Sequence, residues 1–148
     1  MTVEIRPSLD VKEPYVIIHA GTLTPEIEEL AKRLENEKST ANVLAAKREN
    51  RIYILEPNEI QIVRTEGNEI VAYDTAKKRF IVDKRLYEIE ALLGHQFIRI
   101  SKSAIVNIHK IDHVDVRFSG MTDVVMKNGV NENISRRHMG DFKKRLGL

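Results

Sequence analysis

Basic and amide side chains cluster at three places that interrupt otherwise apolar segments. Asn68 follows Gly67 between two alternating segments, Ser101-Lys102-Ser103 follows another, and Ser135-Arg136-Arg137 precedes a basic segment at the end of the chain. Lys and Arg neutralise phosphates or bind guanine, and Asn forms paired hydrogen bonds with adenine. Residues of these types at strand ends predict contacts with nucleic acid.

Each of these residues also has a purely structural explanation. Asn68 beside a glycine is typical of a turn, and Ser135 stands where a helix cap is expected. Arg136 and Arg137 differ, because a helix dipole disfavours cations in the first turn by a few tenths of a kcal/mol. Their placement therefore favours an external anion.

Patterns for catalysis or metal binding are weak. His109 and His113 are four residues apart, but the residues around them alternate like a strand, which would separate the two by about 13 Å. Ser101 or Ser103 could form a triad with His113 and Asp115, yet no Gly-x-Ser-x-Gly turn supports it. We therefore expect neither an enzyme nor a cofactor or metal, and a small hydrolase is only a third alternative.

Composition and charge indicate a folded protein with an uneven charge distribution. The 148 residues are 42% hydrophobic and 31% charged, contain no cysteine, and carry a net charge of +2. Residues 95–148 hold 10 Lys or Arg against 5 Asp or Glu, which fits either a polyanion-binding surface or a solvated face. Without a signal peptide or a long apolar segment, the protein is expected to be cytoplasmic.

From Val43 onward, the sequence predicts a mostly β fold, α+β overall. Short alternating segments are separated by turn residues at a spacing typical of antiparallel strands. Leu86–Leu93 is expected to form a helix that ends at Gly94, and a hairpin turn is expected at Asn128-Gly129. A short basic helix is predicted after Ser135.

The sequence pattern of residues 1–42 predicts a separate β-β-α unit. Strands are expected at residues 3–6 and 15–19, followed by a helix that Thr24 caps and Pro25 begins. Residues 35–40, ENEKST, form the best linker candidate. The unit is too small to bury its apolar helix face alone, so it should pack on residues 43–148 or on a second copy.

Three motifs in order resemble the LytTR DNA-binding domain of bacterial transcription regulators. These are FIRISKSAIVNIHKI (residues 97–111), VVMKNG (124–129) and ISRRHMGDFKKRL (134–146). The resemblance covers roughly residues 43–148. It implies short antiparallel strands in stacked small sheets, and it implies that loops rather than a helix enter successive major grooves of bent double-stranded DNA.

The resemblance also assigns DNA-contacting positions. The family's contacting loops fall on Asn68, Lys102 and Arg137, with Arg136 beside the last. The candidate DNA-binding set is completed by motif neighbours, and comprises Asn68, Arg99, Ser101, Lys102, Ser135, Arg136 and Arg137. Asn107 is instead expected to fix a backbone turn. Many relatives have His-Arg or His-Asn where this chain has Ser-Lys-Ser, so base preference does not carry over.

No receiver domain is expected, because about fifty residues of β-β-α cannot form a doubly wound phosphoacceptor domain. The chain thus resembles compact, response-regulator-like proteins that a small membrane protein often restrains. Control by protein association is expected, with residues 1–42 as the site of dimer contact or inhibitor docking in a homodimer. The alternative is a protein-interaction module whose basic face binds an acidic protein and no nucleic acid.

Overall fold

The computed structural model describes residues 2–11, 15–38 and 43–148. The chain divides into two compact units, Met1–Thr40 and Ala41–Leu148. Helix α1 (Pro25–Lys38) is the regular element of the described part of the first unit. Thr24 begins it as predicted, since its Oγ1 accepts the Ile27 N–H at 3.3 Å, and acidic residues occupy its first turn near the positive end of the dipole.

The two strands predicted in the first unit were wrong. Residues 3–6 and 15–19 form no strand, and apolar side chains such as Val3, Ile5 and Ile17 are exposed. An isolated pair of strands is marginal in water without a third strand or a packed face. The predicted linker was also partly wrong, because α1 continues to Lys38 through residues with good helix propensity. Residues 39–42 lie outside the described residues.

The second unit is built on a seven-stranded antiparallel sheet. Its strands are β1 (Leu44–Arg48), β2 (Arg51–Leu55), β3 (Ile60–Glu66), β4 (Glu69–Asp74), β5 (Arg79–Val82), β6 (Phe97–Ser101) and β7 (Ala104–Asn107). Their spatial order is β2-β1-β5-β4-β3-β7-β6. Short 3-10 helices at Pro57–Glu59 and Ile108–Lys110 follow β2 and β7. The predicted antiparallel, strand-rich fold is confirmed.

A second, three-stranded sheet and two helices complete this unit. The sheet has the order β10-β9-β8 and consists of β8 (Ile111–Val116), β9 (Thr122–Met126) and β10 (Asn131–Ile134). Helix α2 (Leu86–Leu93) ends at Gly94, as predicted, and helix α3 (Arg136–Leu146) follows β10 directly.

Two apolar cores lie on opposite faces of the seven-stranded sheet. Adjacent residues of β3 show this, because Val63 packs with Ile89 and Leu93 of α2, whereas Ile62 packs with the three-stranded sheet and Phe142 of α3. A strand buried on both faces needs a continuous apolar run, which explains why β7 reads Ala-Ile-Val. The sheets are therefore stacked, as the resemblance implied.

Two buried or half-buried asparagines hold turns between these layers. Asn107 is fully buried, and its Nδ2 donates to the carbonyl oxygens of Pro57 at 3.1 Å and Ile60 at 3.0 Å. Its Oδ1 accepts the His109 N–H at 3.0 Å. The structural role predicted for Asn107 is confirmed. Asn128 likewise donates from Nδ2 to the Asp74 carbonyl at 2.9 Å, which ties the β9–β10 turn to β4.

Candidate nucleic-acid interface

The three polar segments meet at one end of the seven-stranded sheet. The β6–β7 turn, residues 101–103, lies beside the end of β3, where the Thr65 N–H donates to the Ser103 carbonyl at 2.8 Å. The start of α3 lies beside the end of β6, where the Ser135 N–H donates to the Ile100 carbonyl at 2.9 Å. The β3–β4 turn with Asn68 continues directly from β3. Segments far apart in sequence thus form one surface.

Arg64 connects this surface internally, and sequence reasoning missed it. Its Nε donates to Glu66 Oε2 at 2.9 Å, and its Nη1 donates to Glu132 Oε2 at 3.0 Å. The guanidinium also lies 5.2 Å from the centre of the Tyr73 ring. β3, which leads to Asn68, is thereby held to β10, which leads to α3. A sequence signal existed, since a strand reading IQIVRTE places Arg64 and Glu66 on one face.

Arg64, Glu66, Tyr73, Arg79 and Glu132 form a cluster, the Arg64 cluster, whose central carboxylate, Glu66, is favoured in its charged form. Burial by itself raises the pKa of Glu66. Hydrogen bonds from Tyr73, Arg64 and Arg79 outweigh that effect and hold the pKa of this carboxyl below its ordinary value. Burial likewise favours a lower pKa for Arg64, but its acidic partners raise the pKa overall. Arg64 and Arg79 are therefore occupied by carboxylates of the chain itself.

Four of the predicted contact residues are exposed and open to a ligand. Asn68 and Lys102 lie at the tips of their turns, and Arg136 and Arg137 begin α3. None of these four side chains forms a hydrogen bond or ion pair with another described residue. Three unneutralised cations at one end of the sheet create a local positive potential that suits a polyanion.

Arg99, Ser101 and Ser135 are instead used by the protein itself. Arg99 donates from Nε to the Ser101 carbonyl at 2.7 Å and from Nη2 to the Lys102 carbonyl, and its Nη1 lies 3.5 Å from Glu90 Oε2. Ser101 Oγ accepts the Ser103 N–H at 3.1 Å. These contacts shape the turn that presents Lys102.

Ser135 occupies the position before the first turn of α3 without capping it through its side chain. Its Oγ lies 2.7 Å from His138 Nδ1, and the first turn of α3 contains no acidic residue. N–H groups at a helix start that lack such partners attract anions. The start of α3 therefore combines Arg136 and Arg137 with the positive end of a helix.

The candidates for other chemistry do not assemble into a site. His113 has Nδ1 at 2.7 Å from Asp112 and Nε2 at 3.5 Å from Asp115 on the exposed face of β8. The hydrogen bond with Asp112, with help from Asp115, raises the pKa of His113, and the partners of the ring among the described residues are these two carboxylates. Within the described residues, no three His, Asp or Glu side chains converge as metal ligands. Every helix in those ranges is too short or too polar to cross a bilayer.

Comparisons with known proteins agree with this geometry. The family model for the LytTr DNA-binding domain matches residues 50–147. Proteins from Staphylococcus aureus strains NCTC 8325, COL and MRSA252, each named as an uncharacterized HTH-type transcriptional regulator, are 27% identical to this chain over 136 residues. Each alignment covers 92% of this chain and 91% of the relative.

A solved structure supports the fold. The chain is similar to the LytTr DNA-binding domain of a protein named as a methyl-accepting/DNA response regulator from Bacillus cereus. The TM-score is 0.66 at 21% sequence identity, and the match covers 72% of this chain and 97% of that structure. The stacked strand arrangement is therefore shared with a solved domain.

Proposed function

The chain belongs to the LytTR DNA-binding domain family, and from that membership we propose that it binds promoter repeats sequence-specifically by inserting loops into the major groove. The family assignment makes it a DNA-binding transcription regulator. The proposal adds how it binds and which residues make contact. The observation that carries it is the meeting of the β3–β4 turn, the β6–β7 turn and the start of α3 at one end of the sheet.

Loops are favoured over a recognition helix because of the order of elements. Between residues 43 and 148, strands separate α2 from α3, so the two form no helix-turn-helix. Phe142 of α3 is buried against β6, which places one face of that helix in the core. A major groove about 12 Å wide admits either an α-helix or a two-stranded β-ribbon with its turn. The exposed turns, together with the exposed start of α3, are therefore the parts able to reach base edges.

Within this interface we assign contact and support to different residues. Lys102 and Asn68 would contact DNA from the two turn tips, and Arg137 with Arg136 would do so from the start of α3. Lys and Arg are suited to phosphate or guanine, and Asn to adenine. Arg99, Ser101 and Ser135 would support these contacts, because their polar atoms are engaged inside the protein.

Fluorescence anisotropy with duplexes that tile the gene's own upstream region tests the proposal. Binding is measured against scrambled duplex at two salt concentrations for the wild type, Lys102→Ala and Arg137→Ala. We expect selective binding that weakens by about 1 to 3 kcal/mol in a variant that loses a base contact. A variant that loses a phosphate contact should instead show a slope of log affinity against log salt smaller by about one.

Lys127→Ala is the matched control. Lys127 is also an exposed turn lysine, but its turn is tied by Asn128 to Gln61 and Asp74, at the other end of β3 and β4. This variant should bind the selected duplex like the wild type, and all variants should melt at the wild-type temperature. Equal, weak and salt-sensitive binding to every duplex would contradict the proposal and favour the protein-interaction module.

We propose further that the protein works in the cytoplasm as a homodimer, and that residues 1–42 serve either dimer contact or the docking of a small membrane protein that restrains it. Exposed apolar side chains in this unit, among them Val3, Ile5 and Ile17, support a docking role. Control would then proceed by protein association. Incubation with a small phosphoryl donor should leave the protein unmodified, and stoichiometric uptake at one Asp would contradict this mode of control.

A further inference from the structure

Most sheet edges of the second unit are protected, as natural proteins require to avoid uncontrolled strand pairing. At β6, the Ile100 carbonyl accepts the Ser135 N–H, and α3 packs against the strand. The other two protected edges carry polar side chains. These are Asp112, His113 and Asp115 on β8, and Asn131, Glu132 and Asn133 on β10.

Strand β2 is different, because it is an open edge with an apolar outer face. Ile52 and Ile54 are 67% and 59% exposed, and among the described residues the strand pairs with β1 alone. The alternate residues face inward, where Leu55 is buried and the Tyr53 ring meets the Phe80 ring edge to face at 5.4 Å. One face of β2 thus packs into the core, while its outer edge has no strand partner within residues 2–11, 15–38 and 43–148.

The apolar surface continues across the neighbouring strands. On β1, Ala45 lies opposite Ile54 and Lys47 lies opposite Ile52. On β5, Ile81 lies opposite Lys47 and is 38% exposed. The aliphatic part of a lysine covers apolar surface readily. An open strand edge beside such a face fits a partner that is itself a β-strand with an apolar face.

We propose that β2 pairs antiparallel with β2 of a second copy of this chain, with the two-fold axis passing through Tyr53. Tyr53 is the middle residue of the strand, so this register pairs all five residues. Ile52 then lies opposite Ile54 of the second copy, and Ile54 lies opposite Ile52. The same face therefore supplies both halves of the contact, as a two-fold interface requires.

Charge along the strand selects a second copy in this orientation. Arg51 begins β2, and Glu56 follows its last residue. In the proposed register Arg51 lies opposite Leu55 of the other copy, one residue from Glu56, so opposite charges are near each other at both ends of the paired strands, whereas parallel pairing would bring like charges together. Because one five-residue strand from each copy buries little area, the dimer should depend on protein concentration. On the DNA-binding function proposed above, it would hold two DNA-binding surfaces at a fixed separation and related by the two-fold axis, an arrangement that suits inverted repeats.

Sedimentation velocity of the full chain without DNA tests the pairing separately from DNA binding. The apparent mass of the wild-type protein should rise from the monomer mass of 17.0 kDa toward twice that value as the protein concentration increases. Ile54→Lys should raise the dimer Kd about tenfold or more. The two-fold axis places the new lysine in the interface twice, once from each copy, and each time opposite Ile52 of the other copy. Val116→Lys is the matched control, since Val116 is 76% exposed on the edge strand β8. It should leave the Kd unchanged.

Disulfide trapping tests the register. The native chain has no cysteine, so Ile52→Cys and Ile54→Cys can be introduced singly. Opposite residues of antiparallel strands have Cα atoms about 4.5 to 5.5 Å apart, which permits a disulfide. A mixture of the two variants should cross-link more than either variant alone.

A monomer mass at every concentration would overturn the proposal. So would an Ile54→Lys protein that dimerises like the wild type, which would assign the contact to residues 2–38 or another surface. Equal cross-linking in the mixture and in each single variant would overturn the register. None of these results depends on DNA, so the DNA-binding proposal stands or fails separately.

Discussion

Asn107 and Lys102 interrupt the same apolar stretch of sequence for opposite reasons. Asn107 is buried, and its side-chain amide forms hydrogen bonds with three backbone groups. It therefore supplies hydrogen bonds that the backbone of this turn does not form by itself. Lys102 is exposed at a turn tip, and its side chain bonds to none of the described residues, although its carbonyl accepts from Arg99. A buried polar residue supports structure, whereas an exposed cation on a rigid turn is available for a ligand.

Asn107→Ala should therefore lower the free energy of unfolding by about 2 to 4 kcal/mol, because it leaves buried backbone groups without partners. Urea denaturation of the purified variant measures this loss. Asn68→Ala, at an exposed turn, should change the free energy by less than about 1 kcal/mol. Similar losses in the two variants would contradict the structural role assigned to Asn107.

Arg99→Met separates support from contact within the interface. The guanidinium binds the carbonyls of Ser101 and Lys102, so its loss should loosen the turn and weaken DNA binding about tenfold without removing a phosphate contact. Anisotropy at several salt concentrations should show lower affinity with an unchanged salt slope. A slope reduced by about one would instead make Arg99 a direct phosphate ligand.

At the scale of elements, the backbone conformation at each position decides whether a glycine is needed there or could be replaced. Glu49 and Asn50, at φ 52° and 62°, form the tight β1–β2 turn, because two positive φ values match the twist of the flanking strands. Gly129 has φ 92° in the β9–β10 turn, where its N–H donates to the Met126 carbonyl at 2.9 Å. Gly140 lies in the middle of α3 with open space where a Cβ would be.

Gly129→Ala and Gly140→Ala should consequently change stability in opposite directions. The first forces a side chain into positive φ and should cost about 1 to 2 kcal/mol. The second reduces the backbone freedom of the unfolded chain at a position that is helical in the folded protein. It should stabilise the folded protein by about 0.5 to 1 kcal/mol. Thermal melting of both variants measures the signs. A destabilised Gly140→Ala protein would show that α3 needs the glycine for another reason.

At the scale of the whole second unit, the Arg64 cluster joins the two sheets. Arg64 and Glu66 belong to β3, and Glu132 belongs to β10, so the Arg64–Glu132 ion pair crosses from the seven-stranded to the three-stranded sheet while the Arg64–Glu66 pair orients the guanidinium within β3. All three side chains are about three-quarters buried, where such pairs are less screened than on the surface. The cluster therefore fixes two of the segments proposed to contact DNA relative to each other.

This cluster should make stability depend on pH. The pKa of Glu66 is lower in the folded protein than in the unfolded chain, so its contribution is present above the unfolded pKa and is lost as pH falls through the folded pKa. Glu66→Gln should cost about 1 kcal/mol at about pH 7 and clearly less at about pH 3. Urea denaturation at both pH values measures the difference, and a loss independent of pH would contradict the assignment.

The sequence by itself determined the elements of residues 43–148. Alternating apolar residues, turn residues and capping signals predicted the strands, α2 and α3, because these patterns act over a few neighbouring residues. The same local signals failed for residues 3–6, which alternate, and for residues 15–19, which form an apolar run, because no packed sheet face stabilises a strand at either place. The sequence also predicted three candidate contact segments, since an unpartnered polar or charged side chain is costly inside a core, and the structure leaves Asn68, Lys102, Arg136 and Arg137 exposed.

Only the tertiary structure decided how these elements assemble. The pairing of β1 with β5, and of β3 with β7, joins segments distant in sequence, and no local pattern specifies such neighbours. Tertiary contacts alone showed that Arg99, Ser101 and Ser135 are engaged inside the protein, and that Arg64 ties the two sheets. The physical reason is that a side chain's type fixes which bonds it can form, while its partners depend on which segments the fold brings within reach.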